Sequence, residues 1–332
     1  MREVRHRDWF GDVVRDGTYG YDLEALLAVE PVVPPAGFEE LWRGWYAAAR
    51  EVPPDPILTP IGRQGAHEVF VVEHTVADGL RLRGWLAMPA GGPARFGMVH
   101  GHGYGGREAP DWSRVPDDAA VIFPIARGQG VFNAGLGAPT PEDGHVLFGI
   151  DSVERYALGR CAVDLWHAAS ALLDVVGPLP LYLVGESFGG GIGALALPWD
   201  DRFVGATLVV PSFGQYDLRL RLPCEGSGER VRHHVAEHPE AREVLRFFDA
   251  STAAGFIHVP VRVEAALWDG HVPPPGQFAV ANALEDLELS VLPAGHTEYP
   301  GLEAVLAESY AATREHALRS VARAVAGAAG ER

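Results

Sequence analysis

Cysteine is scarce in this 332-residue chain, which carries two, Cys161 and Cys224. Two cysteines cannot build the disulfide lattice on which small secreted domains rely. Cys161 falls inside a helical pattern, where a small buried hydrophobe is expected. Long apolar runs are also missing. No stretch approaches the roughly 18 residues of a membrane-spanning helix. The opening "MREVRHRDWFGDVVRDG" is charged throughout and lacks the apolar core of a secretory leader. The reading is a reduced, cytoplasmic protein with no membrane partner. Basic residues are outnumbered, 27 Lys and Arg against 44 Asp and Glu, for a formal net charge of −17. So acidic a chain lacks the basic face that a nucleic-acid backbone requires. There is no internal repeat, no low-complexity tract, no Gly-Lys-Ser/Thr phosphate loop and no Gly-x-Gly-x-x-Gly frame, so no nucleotide cofactor is expected.

What the sequence does contain is a change of pattern along its length. The first sixty residues are rich in Pro and Trp. In "PAGFEELWRGWYAAAREV", Phe38, Leu41, Trp42 and Trp45 recur at i, i+3, i+4 and i+7, which predicts an amphipathic helix. "HEVFVVEHTV" and "RLRGWLAMP" flank an Asp-Gly and predict a β-hairpin. Short, continuously apolar runs follow: "FGMVHGHG", "AAVIFPIARG", "LYLVGES", "GATLVVPS", "VPVRVEAALWDG" and "LELSVLPAGH". Such runs suit a parallel sheet covered on both faces. Between them lie helical patterns, most clearly "SVERYALGRCAVDLWHAASALLDVV". Strands alternating with helices predict a doubly wound, mostly parallel α/β sheet with ligands bound beyond the carboxyl ends of its strands. The expected organisation is an N-terminal helical and β-hairpin extension, residues 1–65, packed on one α/β domain, residues 66–332.

The loops at those strand ends carry the candidate chemistry. Gly185-Glu186-Ser187-Phe188-Gly189 follows an apolar strand and precedes a helix, the setting of a strained turn that presents a nucleophilic serine. A serine hydroxyl needs a base, and the base needs an orienting acid. Asp269 in "LWDGHV" and His296 in "PAGHTEYP" follow later strands in the order Ser, Asp, His that this topology requires. Glu264, inside its strand, and His271, out of order, are weaker alternatives. The amide of Phe188 is one expected oxyanion donor, and that of Tyr104 in "HGHGYGG" the second. His100 and His102 have no Asp, Glu or Cys cluster to complete a metal site and read as structural. His233 and His234 read as solvated, and no metal is expected.

These residues resemble the acetyl xylan esterase/cephalosporin C deacetylase family of α/β-hydrolases from about residue 20 to 320. "FEELW" with the hairpin is similar to its N-terminal extension, "HGYGG" to its oxyanion loop, and Arg127-Gly128-Gln129-Gly130 to its Arg-Gly-Gln motif. "FGID" before the long helix and "LWDGHVPPPGQFAVANAL" resemble its central and acid-bearing segments. The resemblance implies an α/β-hydrolase fold and a triad of Ser187, Asp269 and His296. It also implies an oxyanion hole at Tyr104 and Phe188, and hydrolysis of acetyl esters of sugars and related small molecules without a cofactor. A homo-oligomer, often a ring-shaped hexamer, is implied as well, with Trp9, Trp42 and Trp45 as candidates to cover an interface. Arg127 and Gln129 are expected to support the loops or touch substrate, Arg127 by hydrogen bonds to carbonyls. The chain departs from the family pattern at Phe188, where Gln is usual, at Thr297, which separates His296 from Glu298, and at Val131. An acyltransferase or peptidase using the same triad, and a non-catalytic binding protein on the same fold, are the alternatives.

Overall fold

The computed structural model describes residues 6–11 and 15–330; residues 1–5 and 12–14 of the charged opening segment lie outside them. The hydrophobic runs become strands β1 (Ile57–Gln64), β2 (His67–Thr75), β3 (Arg81–Pro89), β4 (Phe96–His100), β5 (Ala119–Pro124), β6 (Leu181–Glu186), β7 (Phe203–Val209), β8 (Val261–Ala266) and β9 (Leu287–Leu292). They form one sheet in the order β1-β2-β3-β5-β4-β6-β7-β8-β9. The first three pair antiparallel, β3 meets β5 antiparallel, and every later pairing is parallel.

Alternation along the central strands divides the interior in two. Leu181 and Leu183 of β6 join one hydrophobic core, with Ile122 and helix Ala157–Val176. Tyr182 and Val184 join the other, with Phe123, Met98 and Ala317 of the C-terminal helix Leu302–Gly330. Period-two side chains on a strand covered from both sides must all be apolar. That is why β4 and β5 are buried at every position.

The predicted hairpin is β2–β3. Its Asp78 and Gly79 both adopt positive φ, 72° and 71°, which an Asp-Gly turn accommodates. Strand β1 has no counterpart in the sequence reading. It is an edge strand, exposed at seven of eight positions and interrupted by Pro60 and a register shift, so it shows no hydrophobic alternation. Its pairing with β2 joins residues of the extension to the sheet.

The predicted amphipathic helix is Phe38–Arg50. Trp42 is fully buried, donates from Nε1 to the Phe247 carbonyl at 3.0 Å, and packs edge-on against Trp166 at 6.1 Å. Trp45 packs on Phe248 at 6.1 Å. These indoles pack on the chain's own core, where the helix lies against Ala157–Val176. Trp9 stacks on Tyr299 and keeps 36 % exposure. Both cysteines are free and buried. Among the described residues no helix is long and apolar enough to cross a membrane.

Candidate active site

The sheet order decides which loops meet. β4 lies between β5 and β6, so the loop after β4 and the loop after β6 emerge side by side. These are the glycine-rich segment at Gly101–Gly106 and the turn at Ser187. β8 and β9 are neighbours two strands further on, and their loops carry Asp269 and His296.

Ser187 sits at φ 52°, ψ −109°, between β6 and helix Phe188–Ala196. A serine in that region is strained, and the surroundings hold it there. Its N–H donates to the Val209 carbonyl at 2.8 Å, and its carbonyl accepts from Gly191 and Ser212, each at 3.0 Å. The flanking glycines are sterically required. A Cβ on Gly185 would stand 2.2 Å from the Gly189 carbonyl oxygen, and one on Gly189 would stand 2.7 Å from that of His102. The turn is therefore compressed against the neighbouring loop, to which Gly189 N–H donates at 3.0 Å (acceptor His102 O).

His296 lies across from the serine. Its Nε2 is 2.8 Å from Ser187 Oγ and its Nδ1 is 2.7 Å from Asp269 Oδ2. Burial pushes the imidazole pKa down. The hydrogen bond and charge of Asp269, aided by Glu186, more than offset burial and the opposing Arg219, so the pKa ends above its ordinary value. His296 itself has φ 50°. The preceding Gly295 permits close approach, since a Cβ there would be 2.5 Å from Asp269 Oδ2.

Asp269 is fully buried. Its Oδ1 accepts from the amides of His271 and Val272, both at 2.9 Å, and its Oδ2 also accepts from Gln277 Nε2 at 2.9 Å. A carboxylate buried without such donors would carry a large desolvation cost. Gln277 escaped the sequence reading. It is fully buried in helix Pro274–Asn282, accepts from Ala266 N–H at 2.8 Å and donates to the Val272 carbonyl at 2.6 Å. A glutamine one helical turn into an apolar segment just past the acid was the available signal.

Tyr104 and Phe188 line one cavity of about 290 Å³ with Ser187, Phe213, Arg219 and His271. Among the described residues, neither the Tyr104 nor the Phe188 N–H donates to a protein acceptor, whereas neighbouring amides do. Two free amides beside the hydroxyl are the arrangement an oxyanion requires. Gln129 steadies their loop by accepting from Gly105 N–H at 2.8 Å. Arg127 does not bond to carbonyls. It grips the Asp164 carboxylate through Nε and Nη2, both at 2.8 Å, and reaches Asp78 in the hairpin turn at 3.2 Å. Carboxylates win because a guanidinium that is 3 % exposed needs charge compensation. Neither Arg127 nor Gln129 lines the cavity at Ser187.

The alternatives fall elsewhere. Glu264 is buried in β8 against Arg114, Arg262 and Ser309. The ring of His271 stacks on that of His296 at 5.6 Å but bonds to no triad member through its side chain. His102 is a buried strut: Nε2 accepts from Ala126 N–H at 3.0 Å and Nδ1 meets the Gly103 carbonyl at 2.6 Å. Burial pushes its pKa down to about 4. Among the described residues no cluster of His, Cys, Asp and Glu could hold a metal ion.

Three comparisons with known proteins bear on this geometry. The family model described as Acetyl xylan esterase (AXE1) matches residues 24–309. Among solved structures, acetyl xylan esterase 1 from Thermoanaerobacterium sp. JW/SL YS485 superposes with a TM-score of 0.75 at 20 % identity, over 89 % of this chain and 99 % of that one. The acetyl xylan esterase from Paenibacillus sp. R4 gives 0.76 at 21 % identity, over 88 % and 99 %. An acylaminoacyl peptidase from Pyrococcus horikoshii gives 0.62 at 14 % identity, over 78 % of this chain and 42 % of that one. No curated protein sequence matches. The structural likenesses establish an α/β-hydrolase fold, and the family match spans the strands and loops that carry the three polar side chains.

Proposed function

The chain belongs to the acetyl xylan esterase family and is a carboxylic ester hydrolase, and on that premise we propose that Ser187, His296 and Asp269 remove acetyl groups from carbohydrate hydroxyls. The observation that carries the assignment is the unbroken relay from Ser187 Oγ to His296 Nε2, 2.8 Å, and from His296 Nδ1 to Asp269, 2.7 Å. His296 takes the hydroxyl proton as Ser187 Oγ bonds to the ester carbonyl carbon. The carbonyl oxygen becomes an oxyanion facing the Tyr104 and Phe188 amides. The tetrahedral species collapses, His296 returns the proton to the departing alcohol oxygen, and an acetyl-serine remains. Water, deprotonated by His296, then releases acetate. Asp269, held in place by its amide and Gln277 donors, fixes the Nδ1–H tautomer and stabilises the imidazolium.

Ser187→Ala tests this reading. Turnover of p-nitrophenyl acetate is expected to fall by roughly 10⁴–10⁶, and a fluorophosphonate probe should label only the parent protein. Retained labelling or turnover would move the nucleophile elsewhere. A panel of acetylated xylo-oligosaccharides and acetylated antibiotic esters, with propionyl and butyryl analogues, separates the alcohol from the acyl preference. The homo-oligomer implied by the resemblance is likewise a proposal, and a monomer mass by light scattering at micromolar concentration would end it.

A further inference from the structure

The loops that carry Asp269 and His296 share a support that neither the sheet nor the two main cores supply. β9 is the last strand of the sheet and is half-buried throughout, so the His296 loop has a neighbouring strand on one side only. Trp268 directly precedes the acid, Ala294 stands two residues before His296, and Tyr299 three residues after it. These three side chains are 8 % exposed or less and form a hydrophobic cluster of their own, separate from the cores on the two faces of the sheet. A backbone bond ties the same loops together, from Gly295 N–H to the Trp268 carbonyl at 2.8 Å.

What covers that cluster comes from the other end of the sequence. The short helix His6–Phe10 lies on it. Phe10 stacks on Trp268 with ring centroids 4.3 Å apart, Trp9 stacks on Tyr299 at 5.6 Å, and His6 Nε2 donates to the Pro293 carbonyl at 2.6 Å. Further along, the Gly17 carbonyl accepts from the N–H of Asp269 itself at 3.0 Å. The backbone there is pressed so close that a Cβ on Gly17 would stand 2.6 Å from the Trp268 indole. Every one of these contacts falls on a triad residue or within three residues of one. All of them are made by residues that precede position 24, where the match to the family model begins.

Catalytic groups must stay within about 0.5 Å of their productive geometry. Here two separate loops have to keep His296 Nδ1 2.7 Å from Asp269 Oδ2, and His296 does so at φ 50°, a conformation it holds only under constraint from its surroundings. We infer that Trp9, Phe10 and Gly17 are positioning residues, a clasp that holds the acid loop and the histidine loop in register for the relay to Ser187. The inference rests on the serine-esterase reading above. None of the three lines the cavity at Ser187, so the clasp leaves the substrate-binding wall alone. Loosening it therefore acts on turnover and spares binding.

The test uses the full chain and p-nitrophenyl acetate. In Trp9→Ala/Phe10→Ala, kcat should fall about ten- to a hundredfold while KM stays within about twofold. The urea midpoint should stay near that of the parent protein, because the cluster lies outside the two cores. Trp9→Phe/Phe10→Tyr keeps both stacked rings and should return kcat to within about threefold of the parent value. Gly17→Ala, whose methyl must displace the Trp268 indole, should lower kcat as the double alanine variant does. A kcat within about threefold of the parent in either the double alanine variant or Gly17→Ala overturns the inference. So does a rise in KM without a fall in kcat, which would put the segment in the substrate wall. Loss of the folded state, or no recovery in the variant that keeps the rings, overturns it too, since the segment would then hold the fold and not the two loops. The parent protein reports the underlying reading separately. If it turns over no ester, the esterase reading fails and the inference with it, whereas an active parent with unaltered variants ends the inference alone.

Discussion

At the scale of single residues, the decisive chemistry is how one imidazole is held between an acid and a hydroxyl. Protonated His296 cannot accept the Ser187 proton, so activity falls as pH drops through its pKa. Asp269 raises that pKa, so the acidic limb of kcat/KM should have its midpoint above about 6.5. A limb centred below that value would remove His296 as the base. Asp269→Asn should cost about 10⁴ in kcat, through the wrong tautomer. Gln277 acts one step further out. Gln277→Leu strips donors from Asp269 and the Val272 carbonyl and the acceptor from Ala266 N–H, so roughly 3 kcal/mol of stability should go with it. Urea titration measures that loss. Ser187, Asp269 and His296 were legible because each type stands at the end of an apolar run. Gln277 was not, because a glutamine's role depends on a carboxylate that only the folded chain brings to it.

At the scale of elements, glycine has opposite meanings at two positions. Gly44 lies in helix Phe38–Arg50 with nothing within 4 Å of where a Cβ would go. Gly44→Ala should therefore stabilise the protein by roughly 0.5–1 kcal/mol, seen as a higher urea midpoint with unchanged slope. Gly189 is the reverse case. A Cβ there would meet the His102 backbone, with its carbonyl oxygen at 2.7 Å and its nitrogen at 3.0 Å. Gly189→Ala must push the oxyanion loop away from the serine. The expected outcome is a fall in kcat of at least about 10² with KM less affected. A near-normal kcat would mean that the loop yields without moving the Tyr104 amide. The same contrast explains which elements the sequence revealed. Buried parallel strands and the stripe of Phe38, Trp42 and Trp45 are written as hydrophobic periodicity. Strand β1 is defined by backbone pairing to β2 while its side chains face water, so its sequence resembles a loop.

At the scale of the whole molecule, the buried histidines set the response to acid. His74, His102 and His145 are 5 % exposed or less, and burial pushes each down to a pKa of about 4. In the unfolded chain each titrates near 6.5. Between those values the unfolded state binds protons that the folded state refuses, so stability declines as pH falls from about 6.5 toward 4. Each group withdraws on the order of 2 kcal/mol by pH 5. His296 works in the other direction. Its raised pKa stabilises the fold when charged, a contribution present below about 6.5 and lost as pH rises through the folded value. Burial also pushes down His100, His167 and His316, so six lowered histidines against one raised leave a net loss. Glu229, held near 2 by Arg232, loses its contribution only as pH falls below the ordinary carboxylate range, and the buried Asp249, its pKa raised by burial, works in the same direction as His296. Urea titrations at pH 7, 6 and 5 should give steadily lower unfolding free energies, and His74→Gln should flatten the slope. A flat or rising profile in the parent protein would mean that the folded state admits the protons after all, with the interior around His74 and His102 wetter than its packing implies.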